Sequence, residues 1–309
     1  MKGFVVGIDL GGTNLRGAAI DLEGSFLARS FTSSLTPLSK GEGVKKLRKE
    51  IEGLLEQGLS RGYRPLGIGL GVAGVLSKDG VLTQSPNLQN LAGVPLSEEL
   101  GSSLSLPLKM DNDANMYTMG EGWRGAARGV KDFCCLTLGT GVGGGIVMGG
   151  ELYRGAYGTA GEIGHMVIDE DGLPCYCGNR GCLETYASGT GIVRRAMEVG
   201  QKVRSSYELY EAANRGDQMA QEIFWEMGRY LGVGMANLVN MLNPAMIVLG
   251  GKVSGAWNYF IPSALEEMKR RAFRYPVERV KVVKGMLGDD AALWGCTYLV
   301  FQELGIDLG

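Results

Sequence analysis

The chain has 309 residues, a formal net charge of -2 and 51 glycines. This length exceeds what one compact core usually holds, so two lobes are expected. The small net charge creates no global field that would attract nucleic acid or an anionic membrane. We therefore expect neither as a partner, and local groups must meet any anionic ligand.

The sequence favours a cytoplasmic protein. Asp9 places a carboxylate too early for the apolar core of a signal peptide. The most apolar later stretch, residues 231–251, is interrupted by asparagines and a proline, which is typical of a buried helix and strand rather than a membrane span. Three of the six cysteines lie together near residue 180, unlike the cysteines of a secreted disulfide framework.

Two glycine-rich hairpins share one design. Residues 4–9 and 15–21 are rich in Val, Ile, Leu and Ala, and they predict two strands joined by a turn at residues 10–14. Residues 133–147 repeat the order of apolar strand, Gly/Thr turn and second strand. Two similar hairpins predict two similar lobes.

The remaining segments alternate between strand and helix, which is typical of α/β folds. Predicted helices cover residues 41–61, 115–122, 207–214, 217–242, 254–272 and 290–303. Predicted strands cover residues 66–72, 106–110, 246–249 and 280–283. We place hinges near residues 112 and 289. The predicted domains are a small N-terminal α/β lobe, residues 1–112 completed by 289–309, and a large α/β lobe, residues 113–288.

The first hairpin turn combines groups suited to a phosphate and its metal. Gly11 and Gly12 leave backbone N–H groups unhindered, and Thr13 adds a hydroxyl before Asn14 ends the turn. Asp9 would repel phosphate unless Mg²⁺ or its water lies between them, so charge balance implies magnesium. The same glycines would also suit a tight hairpin turn that binds nothing.

Two further loops are candidates for nucleotide binding. The second hairpin turn, residues 139–145, contains Thr140 and Gly141 and can hold the same polyphosphate from the other lobe. Neither hairpin turn matches the dinucleotide or P-loop fingerprints, and their repetition favours phosphate binding over two unrelated turns. Gly250 and Gly251 join a predicted strand to a helix, where adenine or ribose can lie on the backbone, although glycine is common at such junctions.

One imidazole and three thiols are close in sequence. His165, the only histidine, precedes Cys175, Cys177 and Cys182 in a segment with turn glycines. A tetrahedral Cys₃His zinc site is the natural interpretation, and four protein ligands leave no open position, which predicts a structural metal. The alternative is a group of packed thiols in a reducing compartment, which does not account for their close spacing.

Two carboxylates flank the predicted zinc site. Glu162 lies just before it and Glu184 just after it, so zinc would hold both in place. A sugar ring is recognised by short acceptors aimed at adjacent hydroxyls, and both residues suit this role. Either could instead be a charge at a helix end or on the surface.

Three polar side chains follow the predicted strand at residues 106–110. Asp111, Asn112 and Asp113 lie between this strand and a helix, where α/β proteins commonly bind ligands. Any of the three could simply cap the helix. A carboxylate at a helix start also stays ionised and fixed, as a base for phosphoryl transfer requires.

Taken together in this order, the motifs resemble the repressor/ORF/kinase (ROK) family of sugar kinases, particularly its bacterial glucokinases. The resemblance covers essentially the whole chain. It rests on residues 9–13, 85–88, 112–115, 139–141, 161–165, 175–184 and 250–251. It implies a two-lobed α/β fold of the actin-like ATPase (hexokinase/ribonuclease H-like) type, with a ligand cleft between the lobes.

The resemblance also implies an activity. Asp113 would take the proton from the 6-hydroxyl of a free hexose, glucose as first choice, as that oxygen attacks the γ-phosphorus of MgATP. The residues implied for the sugar are Asn87, Asn112, Asp113, Glu162, His165 and Glu184. Those implied for ATP are Asp9, Gly11, Gly12, Thr13, Asn14, Thr140, Gly141, Gly250 and Gly251. His165 would ligate structural Zn²⁺ through its other nitrogen, and the protein is expected to be a homo-oligomer, either a dimer or a tetramer.

Several alternatives stay open. The motifs do not reveal what surrounds C2 and C4 of the sugar, so N-acetylmannosamine, fructose, mannose and allose are alternative substrates, and another phosphoryl donor is possible. An alternative of another class is a sugar-sensing regulator that binds without phosphorylating. Family repressors carry a helix-turn-helix ahead of the first phosphate loop, which here begins close to Met1. Together with intact Asp9 and Asp113, this favours a kinase.

Overall fold

The computed structural model describes residues 2–12, 14–33, 35, 38–77, 79–85 and 87–306. The pattern of contacts divides the chain into two compact units. Unit 1 comprises Met1–Gly129, Leu152–Ala160 and Asp289–Gly309. Unit 2 comprises Val130–Glu151 and Gly161–Gly288.

Strands and helices alternate along much of the chain, as expected for an α/β protein. The strands are β1 (Gly3–Leu10), β2 (Asn14–Asp21), β3 (Phe26–Ser33), β4 (Arg64–Val72), β5 (Val75–Leu76), β6 (Leu82–Gln84), β7 (Leu108–Asn112), β8 (Phe133–Leu138), β9 (Val142–Met148), β10 (Glu151–Leu152), β11 (Met246–Gly250) and β12 (Lys281–Lys284). The helices are α1 (Lys40–Ser60), α2 (Leu96–Leu104), α3 (Asp113–Trp123), α4 (Glu184–Ala187), α5 (Gly189–Glu198), α6 (Ser206–Asn214), α7 (Gln218–Leu242), α8 (Trp257–Arg271), α9 (Arg274–Val277) and α10 (Ala291–Glu303).

The two larger sheets formed by the described residues have the same strand arrangement. Their orders are β3-β2-β1-β4-β7 and β10-β9-β8-β11-β12. In the first, β1 pairs antiparallel with β2, and β4 and β7 add in parallel. In the second, β8 pairs antiparallel with β9, and β11 and β12 add in parallel. The structure thus confirms the two similar hairpins predicted from the sequence.

The core of unit 1 covers both faces of β1. Phe4, Val6 and Ile8 lie in one buried cluster with Ile51 of α1. Val5 instead packs in a cluster with Phe301 of α10. Because successive side chains of a strand point to opposite faces, β1 is buried between α1 on one side and α10 on the other.

Glycines allow α3 and α10 to pack closely. A Cβ atom added to Gly295 would lie 1.8 Å from the carbonyl oxygen of Met116, and one added to Gly120 would lie 2.0 Å from that of Ala291. Only glycine permits this approach. The contact fixes α3, whose first residue is Asp113.

The core of unit 2 is organised around α7. Phe224, Leu231 and Met235 of this helix are buried in a cluster that includes Phe260 of α8 and Ile247 of β11. The cluster therefore joins the sheet to both long helices of the unit. No helix in the described part of the chain combines the length and the apolar character needed to cross a membrane.

The structure differs from the sequence predictions mainly at element ends. Every predicted helix and strand has a counterpart, but α3 begins at Asp113 rather than at residue 115. The helix predicted from residue 254 begins as a 3-10 turn, Lys252–Ala256, before α8. The first compact unit extends to Gly129, because α3 packs on α10 inside unit 1. The predicted lobe boundaries stay a prediction. Strands β3, β5, β6 and β10 and helices α2, α4, α5 and α9 had no sequence prediction.

Candidate functional site

The turn between β1 and β2 is closed and sterically restricted. The N–H of Gly11 donates a 3.0 Å hydrogen bond to the carbonyl oxygen of Asn14. A Cβ atom added to Gly12 would lie 2.4 Å from Cβ of Asn87. The structure therefore brings the predicted phosphate-loop glycine next to a residue predicted for the sugar. Thr13 lies outside the described residues.

Asp9 lies one residue before the end of β1, next to other charged side chains. Its carboxylate lies 3.6 Å from Nη1 of Arg16, whose Nη2 contacts Asp289 at 2.8 Å. The pKa of Asp9 is raised to about 7, mainly by desolvation and also by the negative charges of Asp113 and Asp289, while Arg16 opposes the shift. Asp9, predicted for ATP, and Asp113, predicted as the base, are thus close enough to interact. A cation near Asp9 would favour its ionised form.

The helix cap at the start of α3 is Asn112. Its Oδ1 accepts hydrogen bonds from the N–H groups of Ala114 and Asn115, at 2.8 and 3.3 Å. Its Nδ2 donates to the carbonyl oxygen of Gly74 at 3.0 Å. The sequence left the cap open among three residues, and the structure assigns it to Asn112.

Asp113 lies within the first turn of α3. Its Oδ1 accepts a 2.9 Å hydrogen bond from the N–H of Ala114. The partial positive charge at a helix N-terminus stabilises a carboxylate in this position. Asp113 is therefore held at a defined place at the start of the helix.

The second hairpin turn is shorter than predicted, because β9 already begins at Val142. The N–H of Gly139 donates to the carbonyl oxygen of Gly141 at 2.9 Å. The N–H of Val142 donates to Oε2 of Glu184 at 2.8 Å. A Cβ atom added to Gly141 would lie 2.2 Å from the same oxygen. Glu184, predicted for the sugar, thus also supports the predicted phosphate loop.

The start of α5 packs against this turn, a contact that had no sequence prediction. The N–H of Gly189 donates to the carbonyl oxygen of Gly139 at 2.7 Å, and Oγ1 of Thr190 donates to that of Thr140 at 2.8 Å. Ser188 caps the helix by accepting from the N–H of Gly191 at 3.0 Å. In the sequence, the serine and glycine at residues 188–189 were the available signal for the start of this helix.

The third predicted loop lies beside the second. Gly251 has a φ of 78°, and a Cβ atom added to it would lie 2.5 Å from the carbonyl oxygen of Leu138. Because β8 and β11 are parallel neighbours, the loops that follow Leu138 and Gly250 share one edge of the sheet. The structure therefore brings Thr140, Gly141, Gly250 and Gly251 into one region of unit 2.

The predicted metal ligands form one cluster. The ligand atoms of His165, Cys175, Cys177 and Cys182 all lie within 4.8 Å of one another. Nδ1 of His165 is 3.6 Å from Sγ of Cys175, and Sγ of Cys177 is 3.6 Å from Sγ of Cys182. A tetrahedral zinc ion with Zn–S bonds of about 2.3 Å has S–S edges of about 3.8 Å and S–N edges of about 3.6 Å. The residues present therefore fit zinc.

Backbone turns set the position of the cysteines. The N–H of Cys175 donates to the carbonyl oxygen of Asn179 at 2.8 Å, and the N–H of Gly178 donates to that of Cys175 at 3.1 Å. Gly181 has a φ of 68°, and a Cβ atom there would lie 1.5 Å from the carbonyl oxygen of Asp169. The turn glycines seen in the sequence are thus needed for the geometry of the cluster.

The two glutamates predicted for the sugar lie near His165. Desolvation raises the pKa of Glu162, Glu184 raises it further, and His165 opposes the shift. Nε2 of His165 is 3.1 Å from the hydroxyl of Tyr176. Since Nδ1 faces the cluster, Nε2 is the nitrogen directed away from the metal ligands. Tyr176, which had no sequence prediction, therefore contacts the nitrogen predicted for the sugar.

The described site residues thus gather within each unit. In unit 1 the structure groups Asp9, Gly11, Gly12, Asn14, Asn87, Asn112 and Asp113. In unit 2 it groups Thr140, Gly141, Gly250 and Gly251 at one sheet edge, and Glu162, His165 and the cysteines around the metal cluster. Glu184 lies next to both groups of unit 2. It accepts a hydrogen bond from Val142 beside the sheet edge, and, in addition to desolvation, its charge raises the pKa of Glu162 near the metal cluster.

Comparisons with known proteins agree with these motifs. The ROK family profile matches residues 5–303. A glucokinase of Halalkalibacterium halodurans is 36% identical, covering 97% of this chain and 96% of that protein. A xylose repressor of Caldicellulosiruptor bescii is 31% identical, covering 98% of this chain and 79% of the repressor.

A solved structure extends the similarity to the fold. The ROK family glucokinase of Streptomyces griseus, in complex with glucose and AMPPNP, has a TM-score of 0.83 and 31% identity to this chain. The match covers 97% of this chain and all of that structure. The repeated sheets of the two units are consistent with the actin-like ATPase fold of such proteins. The chain therefore belongs to the ROK family and has the actin-like ATPase fold predicted from its motifs.

Proposed function

We propose that this protein catalyses the ATP-dependent phosphorylation of a free hexose at its 6-hydroxyl, with glucose as the preferred sugar. The observation that carries the proposal is the position of Asp113. It lies in the first turn of α3, close enough to Asp9 of the glycine-rich turn to raise the pKa of Asp9. A proton acceptor beside a phosphate-binding loop is the arrangement that phosphoryl transfer requires.

In the proposed reaction, Asp113 accepts the proton of the 6-hydroxyl. The oxygen forms a bond to the γ-phosphorus of ATP, the bond between the γ-phosphorus and its bridging oxygen breaks, and ADP leaves. Backbone N–H groups of the two glycine-rich turns hold the phosphates, which positions the γ-phosphorus for in-line attack. Mg²⁺ bound with ATP would offset the charge of the triphosphate near Asp9.

The sugar hydroxyls are assigned to Asn87, Asn112, Glu162, His165 and Glu184. The contact between Gly12 and Asn87 supports this for Asn87, because it places the amide beside the phosphate loop. For Asn112, the helix cap and the bond to Gly74 hold the side chain still, so that its second Nδ2 hydrogen can meet a sugar hydroxyl. We further propose that the hydroxyl of Tyr176 moves away from Nε2 of His165 when the sugar binds, and that a sugar hydroxyl takes its place.

We assign the Cys₃His cluster to a structural zinc ion. Its four protein ligands leave no open position for a substrate or water. The ion would fix Nδ1 of His165 and thereby the direction of Nε2, since a metal on one ring nitrogen determines the role of the other. Zinc would thus position the residues that bind the sugar.

The choice of glucose is supported by relatives that bear the name glucokinase. N-acetylmannosamine, fructose, mannose and allose are the alternatives. A panel of these hexoses with coupled detection of ADP tests the choice. We expect kcat/KM for glucose to exceed that for each other sugar by at least about tenfold, a difference of about 1.4 kcal/mol. Comparable values for several sugars would contradict a strict glucokinase.

A second candidate function is a sugar sensor that does not phosphorylate. The similarity to a xylose repressor of Caldicellulosiruptor bescii favours it. Release of ADP that depends on hexose distinguishes the two functions. A sensor would bind sugar and release no ADP above the rate measured without sugar.

The role of Asp113 is tested by Asp113→Asn, which keeps the size of the side chain and removes the base. We expect sugar binding to persist within a few-fold and kcat to fall by about 10² to 10⁴. Isothermal titration with glucose and the zinc content of the variant show whether it is folded. A kcat within a few-fold of the natural protein would show that Asp113 is not the base.

A further inference from the structure

Arg154 forms an ion pair with Asp111, a buried residue two positions before the proposed base Asp113. Its Nε donates a 2.7 Å hydrogen bond to Oδ2 of Asp111. Asp111 is 8% exposed, whereas the side chain of Arg154 is 41% exposed. A buried carboxylate is costly to leave unpaired, so the hydrogen bond from Arg154 supports Asp111 in this place.

The other oxygen of Asp111 holds the backbone that carries the base. Oδ1 accepts from the N–H of Asn112 at 2.8 Å and from Nδ2 of Asn115 at 2.8 Å. These two residues lie on either side of Asp113 and Ala114 in the chain. Asn112 also caps α3, so Asp111 fixes the residue that in turn fixes the first helical turn.

The segment that contains Arg154 is itself held in unit 1. Leu152–Ala160 belongs to unit 1, although the residues on both sides of it belong to unit 2. The N–H of Ala160 donates to the carbonyl oxygen of Arg154 at 3.1 Å, which closes a compact loop. Arg154 therefore reaches Asp111 from a loop and not from the strand or helix that carries the base.

We propose that Arg154 is a positioning residue for Asp113, acting through Asp111. This inference rests on the proposed function. With Arg154 in place, Oδ2 of Asp111 has a partner, and Oδ1 stays on Asn112 and Asn115. Without Arg154, the unpaired carboxylate of Asp111 turns toward solvent, and the turn that holds Asp113 loses two hydrogen bonds. A base displaced by a fraction of an ångström to 1 Å loses much of its effect on kcat.

The test compares Arg154→Gln with Arg154→Gln/Asp111→Asn. In the single variant we expect kcat to fall by about tenfold to a hundredfold, with the Kd for glucose, measured by titration, within threefold. In the double variant the buried charge is gone, and the amide oxygen at position 111 can still accept from Asn112 and Asn115. We therefore expect the double variant to recover most of the lost kcat.

A merely structural role for Arg154 predicts a different pattern. If Arg154 only tethers its loop, Asp111→Asn cannot restore kcat, and this result would overturn the inference. An unchanged kcat in Arg154→Gln would also overturn it. Should the single variant fail to fold, the double variant and Arg154→Lys, which keeps the cation, supply the measurement: both should retain more than about a third of the natural kcat.

A control variant separates the loss of this ion pair from the loss of any ion pair. Lys109 lies on the same strand as Asp111 and contacts Glu303 at 2.6 Å, with both side chains well exposed. Lys109→Gln should leave kcat within twofold, because exposed pairs contribute little.

If the natural protein itself shows no hexose-dependent release of ADP, the proposed function fails and the inference with it. If the natural protein is active and Arg154→Gln keeps its kcat, only the inference fails.

Discussion

Oε2 of Glu184 accepts a 2.8 Å hydrogen bond from the backbone N–H of Val142. Val142 directly follows the second glycine-rich turn, and Glu184 begins α4 just after the metal cluster. One carboxylate oxygen therefore fixes the end of the turn assigned to ATP, while the side chain belongs to the set assigned to the sugar. This contact predicts that the binding of the two substrates is coupled through Glu184.

Replacement of Glu184 tests this coupling. Glu184→Ala removes the acceptor for Val142 and should raise the KM for ATP as well as that for glucose, each by about fivefold to a hundredfold, because a buried donor is left without a partner. Glu184→Gln keeps an acceptor oxygen, so its KM for ATP should stay within threefold. Initial rates measured over both substrate concentrations give the two constants.

Glu162 provides the comparison for that experiment. Besides desolvation, the charges of His165 and Glu184 shift the pKa of Glu162, as they would for a neighbour of Glu184. Glu162 belongs only to the set of residues assigned to the sugar. Glu162→Ala should raise the KM for glucose and leave the KM for ATP within threefold. An equal rise of the KM for ATP in Glu162→Ala and Glu184→Ala would show that the contact with Val142 does not account for the coupling.

Gly141→Ala tests the same contact from the other side. The added methyl group would lie 2.2 Å from Oε2 of Glu184, too close for any side chain, so either the turn or the carboxylate must move. We expect kcat/KM for ATP to fall by at least about tenfold, which corresponds to about 1.4 kcal/mol. Steady-state kinetics and thermal unfolding of the purified variant provide the measurement.

Gly139 offers a comparison within the same turn. No atom lies within 4 Å of a Cβ added at Gly139. Gly139→Ala should therefore reduce kcat/KM for ATP by much less than Gly141→Ala does. Equal losses in the two variants would mean that steric contact with Glu184 is not the reason that position 141 is glycine.

Local patterns in the sequence predicted the parts of the site that depend on spacing. The two hairpins were predicted because an apolar strand, a glycine-rich turn and a second strand follow one another directly. The metal cluster was predicted because its cysteines lie close in sequence, a spacing that is typical of structural zinc sites. Roles for residues such as Gly11 and Cys177 could be predicted because one short segment contains both the polar or glycine residues and the turn that arranges them.

Other parts of the site depend on partners far along the chain. Arg154 meets Asp111 across 43 residues of sequence, and no spacing rule predicts such a pair. The cap of α3 stayed open because each of three adjacent short polar residues can accept from helix N–H groups, and only the backbone angles select Asn112. Thr190 was missed because its hydroxyl contacts a turn formed by a distant hairpin.

The metal cluster predicts about one zinc ion for each chain, measured by atomic emission on protein prepared without added metal. Removal of zinc by a chelator should raise the KM for glucose, because His165 loses the ligand bond that orients it, and should lower the thermal midpoint. Cys177→Ser should have the same two effects.

A cysteine outside the cluster serves as the control for zinc content. Sγ of Cys296 is buried and donates to the carbonyl oxygen of Ile8 at 3.2 Å, a bond that a serine hydroxyl can replace. Cys296→Ser should therefore keep its zinc. A natural protein that contains no zinc after purification in metal-controlled buffers would contradict the assignment of the cluster.

Glu267 predicts a dependence of stability on pH in unit 2. Its carboxylate accepts from Arg270 and Arg271 on the same helix, and the side chain is 8% exposed. The hydrogen bond from Arg270, followed by that from Arg271, lowers the pKa of Glu267 from 4.5 to about 2, and desolvation opposes this shift. Because the pKa is lower in the folded state, the stabilisation is complete above about pH 4.5 and is lost as the pH falls toward 2.

Glu267→Gln should therefore lower the free energy of unfolding at pH 7 by about 1 to 3 kcal/mol. The difference in the free energy of unfolding between variant and natural protein should shrink between pH 4.5 and pH 3. In this range the stabilisation from the ionised carboxylate of Glu267 decreases, whereas an amide does not titrate. Urea unfolding of both proteins at each pH gives the comparison. The neighbouring exposed Glu266 is the control, and Glu266→Gln should change the free energy by less than about 0.5 kcal/mol at every pH. A difference for Glu267→Gln that stays constant from pH 7 to pH 3 would show that its ionisation does not stabilise the fold.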